Sequence, residues 1–197
     1  MVPQQADSSF ALSIKTMYTK QTIAFIGVTG KSGSAILKNI AAENYRLLFV
    51  SESSDQLLPL MNKIKAQHPS ADIEIIDCSF NACWEADIIF AAIPAEAFQV
   101  FANKIKVVAN RKIVISIADQ MGNDSFRNAD LKSQLPNTNI ATISSAAFVS
   151  SFLQPGAAGT SNKEVLISGD EEAIAATSAV IIAAGYIPVI TNDFVEL

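Results

Sequence analysis

The stretch Thr22 to Ser34 reads TIAFIGVTGKSGS, and its residue types and spacing point to a specific chemistry. A short apolar run, Ile23-Ala24-Phe25-Ile26, drives into glycines at Gly27, Gly30 and Gly33, and a helical pattern follows. A strand, a glycine turn and a helix start, in that order, form the cradle that holds a dinucleotide pyrophosphate. Gly27 permits the tight turn, Gly30 lets backbone approach phosphate, and Gly33 lets the helix pack closely on the strand. The unpaired N–H groups of the first helical turn, with the positive end of the helix dipole, attract the anion. The spacing is G-x-x-G-x-x-G rather than G-x-G-x-x-G. Within Gly27-Val28-Thr29-Gly30-Lys31-Ser32-Gly33, Lys31 can approach the pyrophosphate or stay solvated. Thr29 and Ser32 can donate hydroxyls to phosphate or cap the helix. Lys31 follows Gly30 without the longer loop of a Walker signature, which disfavours ATP hydrolysis.

Such a cradle works only when a sheet holds it in place. Apolar patterning predicts strands over 22–26, 46–51, 72–76, 87–92, 112–117, 139–143, 164–168 and 186–190. It predicts helices over 32–43, 55–67, 95–108, 124–133, 146–153 and 171–184. Near-continuous apolar runs such as IIFAAI (88–93) and IVISI (113–117) suit parallel strands covered on both faces. The alternation implies an α/β fold: a doubly wound, Rossmann-type sheet, mostly parallel, of about eight strands with right-handed crossovers. Asp170 is placed to cap the helix beginning at 171, Gly185 to end it, and Pro94 to start the helix after the fourth strand. Residues 1–20 are polar and aperiodic and read as a loose extension; 21–197 read as a single dinucleotide-binding domain.

In an open parallel sheet, ligands sit beyond the carboxyl ends of the strands. Those ends give segments 27–33, 51–54, 92–95 and 118–122, which would converge on one crevice. Besides the glycine turn, they offer Ser51, Glu52, Ser53, Ala92, Ile93, Pro94 and Ala118 as cofactor contacts. Glu52 stands where an acid accepts hydrogen bonds from the adenosine ribose and repels a 2′-phosphate, which normally calls for Arg. Ser51, Ser53 and Ser54 can instead donate to a phosphate, so NAD and NADP both stay open. No catalytic residue is assigned. Tyr18, Tyr45 and Tyr186 lack a lysine four positions on, Ser144 and Ser145 lie in no G-x-S-x-G elbow, and His68 sits in a polar KAQHPS loop. Asp119 suits a turn at least as well as the crevice. Phe80 and Trp84 are expected to pack a helix onto the sheet.

Composition excludes several classes. The chain has 197 residues, half of them apolar, enough to bury the core of about one domain. A net charge of −5 with no basic cluster argues against nucleic-acid binding. No apolar run reaches the roughly 20 residues that span a bilayer, and no basic region followed by an apolar one marks a leader, so a cytoplasmic protein is expected. Cys78 and Cys83, with His68 far away, are too few for a metal site and read as two thiols.

Four blocks, IAFIGVTGKSG, DIIFAAIP, KIVISIAD and VLISGDEEAIAATSAVIIAAGYIPV, together resemble the NADP oxidoreductases that use the deazaflavin coenzyme F420. The reductase domains of metalloreductases look similar too. The likeness runs from about Thr22 to the C-terminus, and its last block reproduces the family's closing strand–helix–strand unit. It implies a small homodimeric enzyme moving hydride between a nicotinamide (NADP or NAD) and a flavin or deazaflavin, with a small-molecule redox substrate as partner. The chain departs from the family at three places. Glu52 stands where the family has Ser or Thr followed by Arg, and Asp119-Gln120 where it has an Asn-Pro-like turn. ISSAAFVSS replaces a Lys-Ala-Phe-Asn segment. Hydride transfer between stacked rings depends mainly on holding donor and acceptor carbons face to face, so it survives the lack of a general base. Ala92, Ile93, Ala146 and Ala147 suit the walls of a flat ring site and equally suit core packing. The alternative is a non-catalytic dinucleotide-binding protein, a sensor or scaffold that keeps the crevice.

Overall fold

The computed structural model describes residues 20–27, 34–50, 54–117, 128–144 and 163–191. Its strands are β1 Gln21–Ile26, β2 Tyr45–Val50, β3 Asp72–Ile76, β4 Ile88–Ala91, β5 Ile113–Ile117, β6 Asn139–Ser144, β7 Glu164–Gly169 and β8 Ile187–Ile190. Its helices are α1 Ser34–Ala42, α2 Ser54–Gln67, α3 Ser79–Glu85, α4 Ala95–Ile105, α5 Asn128–Gln134 and α6 Glu171–Ala183. One sheet holds the eight strands in the order β3-β2-β1-β4-β5-β6-β7-β8. Strands β1 to β6 are parallel, β7 is antiparallel to β6, and β8 is parallel to β7. The α/β, doubly wound, mostly parallel architecture predicted from the alternation is the one observed.

Strand side chains alternate between two cores. On one face Ile23, Phe25, Leu47, Phe49, Ile88 and Phe90 meet α1, α2 and α6. On the other, Ala24, Ile26, Leu48, Ile89 and Ala91 meet α3, α4 and α5. The first face needs bulk at its centre, where register lines up Phe49, Phe25 and Phe90 across β2, β1 and β4. Ring centroids there lie 5.8 and 5.3 Å apart in edge and tilted contacts. The helices answer with apolar residues at helical spacing: Leu37, Ile40 and Ala41 on α1; Leu57, Leu60 and Ile64 on α2; Phe98, Phe101, Ala102 and Ile105 on α4.

The C-terminal β7–α6–β8 unit runs against the rest of the sheet. Its entry into β6 depends on Gly169, at φ +150°. A Cβ there would fall 2.1 Å from the Ile140 carbonyl oxygen and 2.7 Å from Ala141 Cα, so only glycine lets β7 close on β6. Asp170 stands at the N-cap of α6, but its side chain does not cap the helix. It accepts instead from Lys132 Nζ on α5 (2.7 Å) and from the Ile140 amide on β6 (2.9 Å), the ammonium being the stronger, charged partner. Burial alone would raise the Asp170 carboxyl, yet the bonds from Lys132 and Ile140, with the Lys132 charge, hold it below the usual aspartate value.

A second correction concerns α3. The helix went unpredicted because it has seven residues, no side-chain cap and only Ala82 and Cys83 as buried anchors, too little for a readable period. Phe80 and Trp84 were expected to pack this region onto the sheet, but they stay 39% and 66% exposed. One helical face cannot bury both positions 82–83 and 80–84, and the smaller pair fits against the strands. Lys112 completes α3 by donating to the Cys83 carbonyl (2.7 Å) and to the Trp84 carbonyl at its C-terminal end. The expected extension over 1–20 lies, save Lys20, outside the described residues, as does the helix expected over 146–153.

Candidate functional site

The strand order turns back between β1 and β4: β2 and β3 lie to one side and β4 to β8 to the other. In an open sheet of this kind a crevice opens at such a point, outside the carboxyl ends of the two strands. The structure has a cleft of about 500 Å³ at this point. Its walls are apolar, from Ile26, Val50, Ile93, Ala97, Val100 and Phe101. Three polar side chains line it: Asp77 just past β3, Ser79 opening α3, and Lys104 on α4.

Gly27 lies on the cleft wall at φ +82°. A Cβ there would stand 2.3 Å from the Ala92 carbonyl oxygen and 3.0 Å from Ile93 Cγ2. The Ala92 amide donates to the Ile26 carbonyl at 2.9 Å, which clamps the two strand ends together. Two of the four segments expected to converge therefore meet through backbone. Ala92 is buried beneath the junction, Ile93 lines the cleft, and exposed Pro94 stands at the N-cap of α4 with φ −59°. Val28, Thr29, Gly30, Lys31, Ser32, Gly33, Ser51, Glu52, Ser53 and Ala118 lie outside the described residues, as do Asp119, Gln120, Ser145, Ala146 and Ala147.

Sequence reasoning missed Asp77, Ser79 and Lys104. Asp77 and Ser79 were within reach of the rule that found the other segments, since they follow β3 as Gly27 follows β1. Lys104 gave no such signal. It belongs to an otherwise ordinary amphipathic helix, and only the fold brings it to the cleft. His68 and Tyr45 are elsewhere: His68 joins α2 to β3 and Tyr45 starts β2, both at the amino ends of the strands. Cys83 is buried, which pushes its thiol up to about 12 and leaves it unreactive near neutral pH. Among the described residues no group of three or more His, Cys, Asp or Glu is placed to hold a metal ion. Nor is any described helix long and apolar enough to cross a membrane.

A family model described as NADP oxidoreductase, coenzyme F420-dependent, matches residues 22–120, half of the chain. The chain belongs to this family. The matched span covers β1 to β5 and therefore every residue that lines the cleft. Among solved structures, a pyrroline-5-carboxylate reductase from Coxiella burnetii superposes with a TM-score of 0.64 at 12% identity, over 88% of this chain and 60% of that one. A putative F420-dependent NADP-reductase from Arthrobacter sp. superposes with a TM-score of 0.63 at 17% identity, over 86% of this chain and 83% of that one. An imine reductase from Myxococcus stipitatus in complex with NADP+ gives 0.62 at 16% identity, over 86% and 54%. At such identities the likeness is one of fold. The chain spans less than two thirds of the Coxiella and Myxococcus enzymes. No curated protein sequence matches it.

Proposed function

We propose that this chain binds a nicotinamide dinucleotide, NADP or NAD, and transfers hydride between it and a flavin or deazaflavin-type ring. The observation that carries the reading is the cleft at the β1/β4 switch point, bounded by a glycine whose side-chain position is already filled by backbone. Its lining fits an adenosine: flat apolar walls for a purine face and a few polar groups for its edge. In this reading Val50 and Ile93 with Ala97 flank the adenine, and the glycine turn over 27–33 binds the pyrophosphate through backbone N–H groups. Glu52, with Ser51 and Ser53, meets the ribose. Ala92, Ile93, Pro94 and Ala118 line the path toward the nicotinamide.

The nicotinamide supplies the hydride when bound. The chain's task is to fix its ring and exclude water, which needs no general base. Family membership favours NADP, and the imine reductase from Myxococcus is named with NADP+ bound. Glu52 favours NAD, since a carboxylate opposes a 2′-phosphate. Titration of the protein with NAD, NADH, NADP and NADPH, followed by stopped-flow mixing with a flavin and deazaflavin panel, tests the reading. Submillimolar binding with oxidation of the reduced nicotinamide supports it. Binding without turnover on any acceptor leaves the non-catalytic sensor or scaffold. Glu52→Arg should move the NAD/NADP preference toward NADP, and an unmoved ratio takes Glu52 away from the ribose.

A further inference from the structure

We propose that the outward face of α6 is a self-association surface, on which a second copy of this chain docks its own α6 antiparallel across a two-fold axis. The proposal stands apart from what the cleft binds. It starts from a helix without a polar side. No charged residue stands between Glu172 and Asp193 in the sequence. The inner side of α6 buries Ala173, Thr177, Val180 and Ile181. Its opposite side exposes Ala175, Ala179 and Ile182, spaced i, i+4 and i+7, with Ile182 62% exposed. A surface helix carries charged residues there, and a helix apolar all round is normally covered on every side. The patch continues onto β8. Ile190 pairs in register with Ile167, whose side chain lies in the core that α6 covers, so Ile190 stands on the α6 side of the sheet, 64% exposed.

Edge geometry, shape and charge choose the occupant. Strand addition at the β8 edge is disfavoured. The Ile187 and Thr191 amides donate inward to the Lys163 and Ile167 carbonyls, so alternation turns position 188 outward, and Pro188 has no N–H to offer. The helix face, by contrast, is self-complementary. Ile182 and Ala175 lie equally far from a centre between Ser178 and Ala179, so antiparallel docking sets each Ile182 opposite Ala175 of the second copy, large against small. Glu171 and Glu172 mark one end of α6. Antiparallel docking keeps the two glutamate pairs about 20 Å apart at 1.5 Å of rise per residue, beyond the screening length of about 8 Å. Parallel docking would set them side by side. The outward half of a helix this long offers about 400 Å², half of the roughly 800 Å² per partner in a standard interface. Ile190 adds to it, and the dimer is therefore a weak, concentration-dependent one.

Sedimentation velocity of the full chain over about 1–100 µM should show the average mass rising toward twice that of the monomer, as a low-area interface requires. Ile182→Lys and Ala175→Glu should each stay monomeric throughout and melt close to wild type, because both positions are exposed. Val107→Lys, 69% exposed just past α4 on the other face of the sheet, should associate as wild type does. Cross-linking tests the orientation. Within one chain positions 175 and 182 are about 10 Å apart along the helix, too far for a disulfide. The double variant Ala175→Cys, Ile182→Cys should therefore form disulfide-linked dimers under a mild oxidant, and neither single variant should. A wild type that stays monomeric at about 100 µM, association that survives both Ile182→Lys and Ala175→Glu, or dimers linked through Ile182→Cys alone would each overturn the proposal.

Discussion

Gly27 joins the fold to the site, and adding one methyl group there separates the two contributions. Gly27→Ala places Cβ 2.3 Å from the Ala92 carbonyl oxygen and 2.9 Å from its carbon. Contact below 3.0 Å is not tolerated, so Ala92 must withdraw by roughly 0.7 Å from its present place. That movement pulls on the Ala92 amide, whose 2.9 Å bond to Ile26 contributes about 1 kcal/mol. Holding alanine at φ +82° adds about 1–2 kcal/mol. The total, about 2–3 kcal/mol, corresponds to a melting temperature lower by about 4–12 °C for a domain of this size. Gly169→Ala is the matched control. Its Cβ meets Ile140 and Ala141 backbone at 2.1 and 2.7 Å, so the stability loss should be comparable. Because β7 runs against β6, however, Gly169 lies at the amino ends of the parallel strands, away from the cleft. Scanning calorimetry measures the first effect, and nucleotide titration at a temperature where both variants stay folded measures the second. Gly27→Ala should lose about ten-fold or more in affinity and Gly169→Ala less than about two-fold. A Gly27→Ala melting point within about 1 °C of wild type would refute the packing argument. Unchanged nucleotide affinity in a destabilised Gly27→Ala would refute the placement of the pyrophosphate beside it.

Two further predictions concern stability alone. Asp170→Asn should cost at most about 1 kcal/mol at pH 7, since Lys132 and Asp170 are 40% and 38% exposed and solvent weakens the pair. The folded-state pKa of Asp170 lies below its unfolded value, so this contribution is complete above the ordinary aspartate range and fades as pH falls through the lowered value. Urea unfolding should show the gap at pH 7 and lose it in strong acid; a gap that persists there assigns the effect to shape rather than charge. Thr177→Val should raise stability by about 1 kcal/mol, because Thr177 is fully buried in α6 and its hydroxyl finds no hydrogen-bond partner among the described residues. A melting point about 2–4 °C higher is expected, and a lower one would show that the hydroxyl is paired in solution.

The central strands β1, β4 and β5 were legible because each carries a near-continuous apolar run, which burial on both faces demands, while the edge strands β3 and β8 were read from shorter apolar stretches and stay partly exposed. Boundaries slipped where the ends do not depend on apolar content. The helix over 95–108 stops at Ile105, although Val108 is itself buried, because the chain turns there to bring Val108 and Ala109 under the sheet. Helix α3 was invisible for a related reason: two buried side chains in seven residues carry no period. Gly27 announced itself, since a glycine closing an apolar strand has few reasons other than a turn. Asp77 and Lys104 did not, because a single charged residue after a strand or on a helix is usually just solvated. Their meaning comes from a neighbour 27 positions away in sequence that only the fold supplies.

The C-terminal unit also bears on the crevice, although none of its residues lines it. Helix α6 packs on β5, β6, β7 and β8 and also reaches α1. Asn39 on α1 donates through Nδ2 to the carbonyl of Ala184, the C-cap of α6, at 3.0 Å. A Cβ on Gly185 would come 3.1 Å from that nitrogen, so the two helices meet closely at this point. Leu37 and Ile40 are buried in the core that α6 helps to close. Helix α1 is the element that follows the glycine turn, and the direction of its axis sets where its first N–H groups point. A helix of nine residues is short to hold such an aim by packing on the sheet alone. The inverted β7–α6–β8 unit supplies a second wall against it. On the proposed reading, in which the glycine turn holds the pyrophosphate, the strand–helix–strand block at the C-terminus would keep the helix after that turn in line.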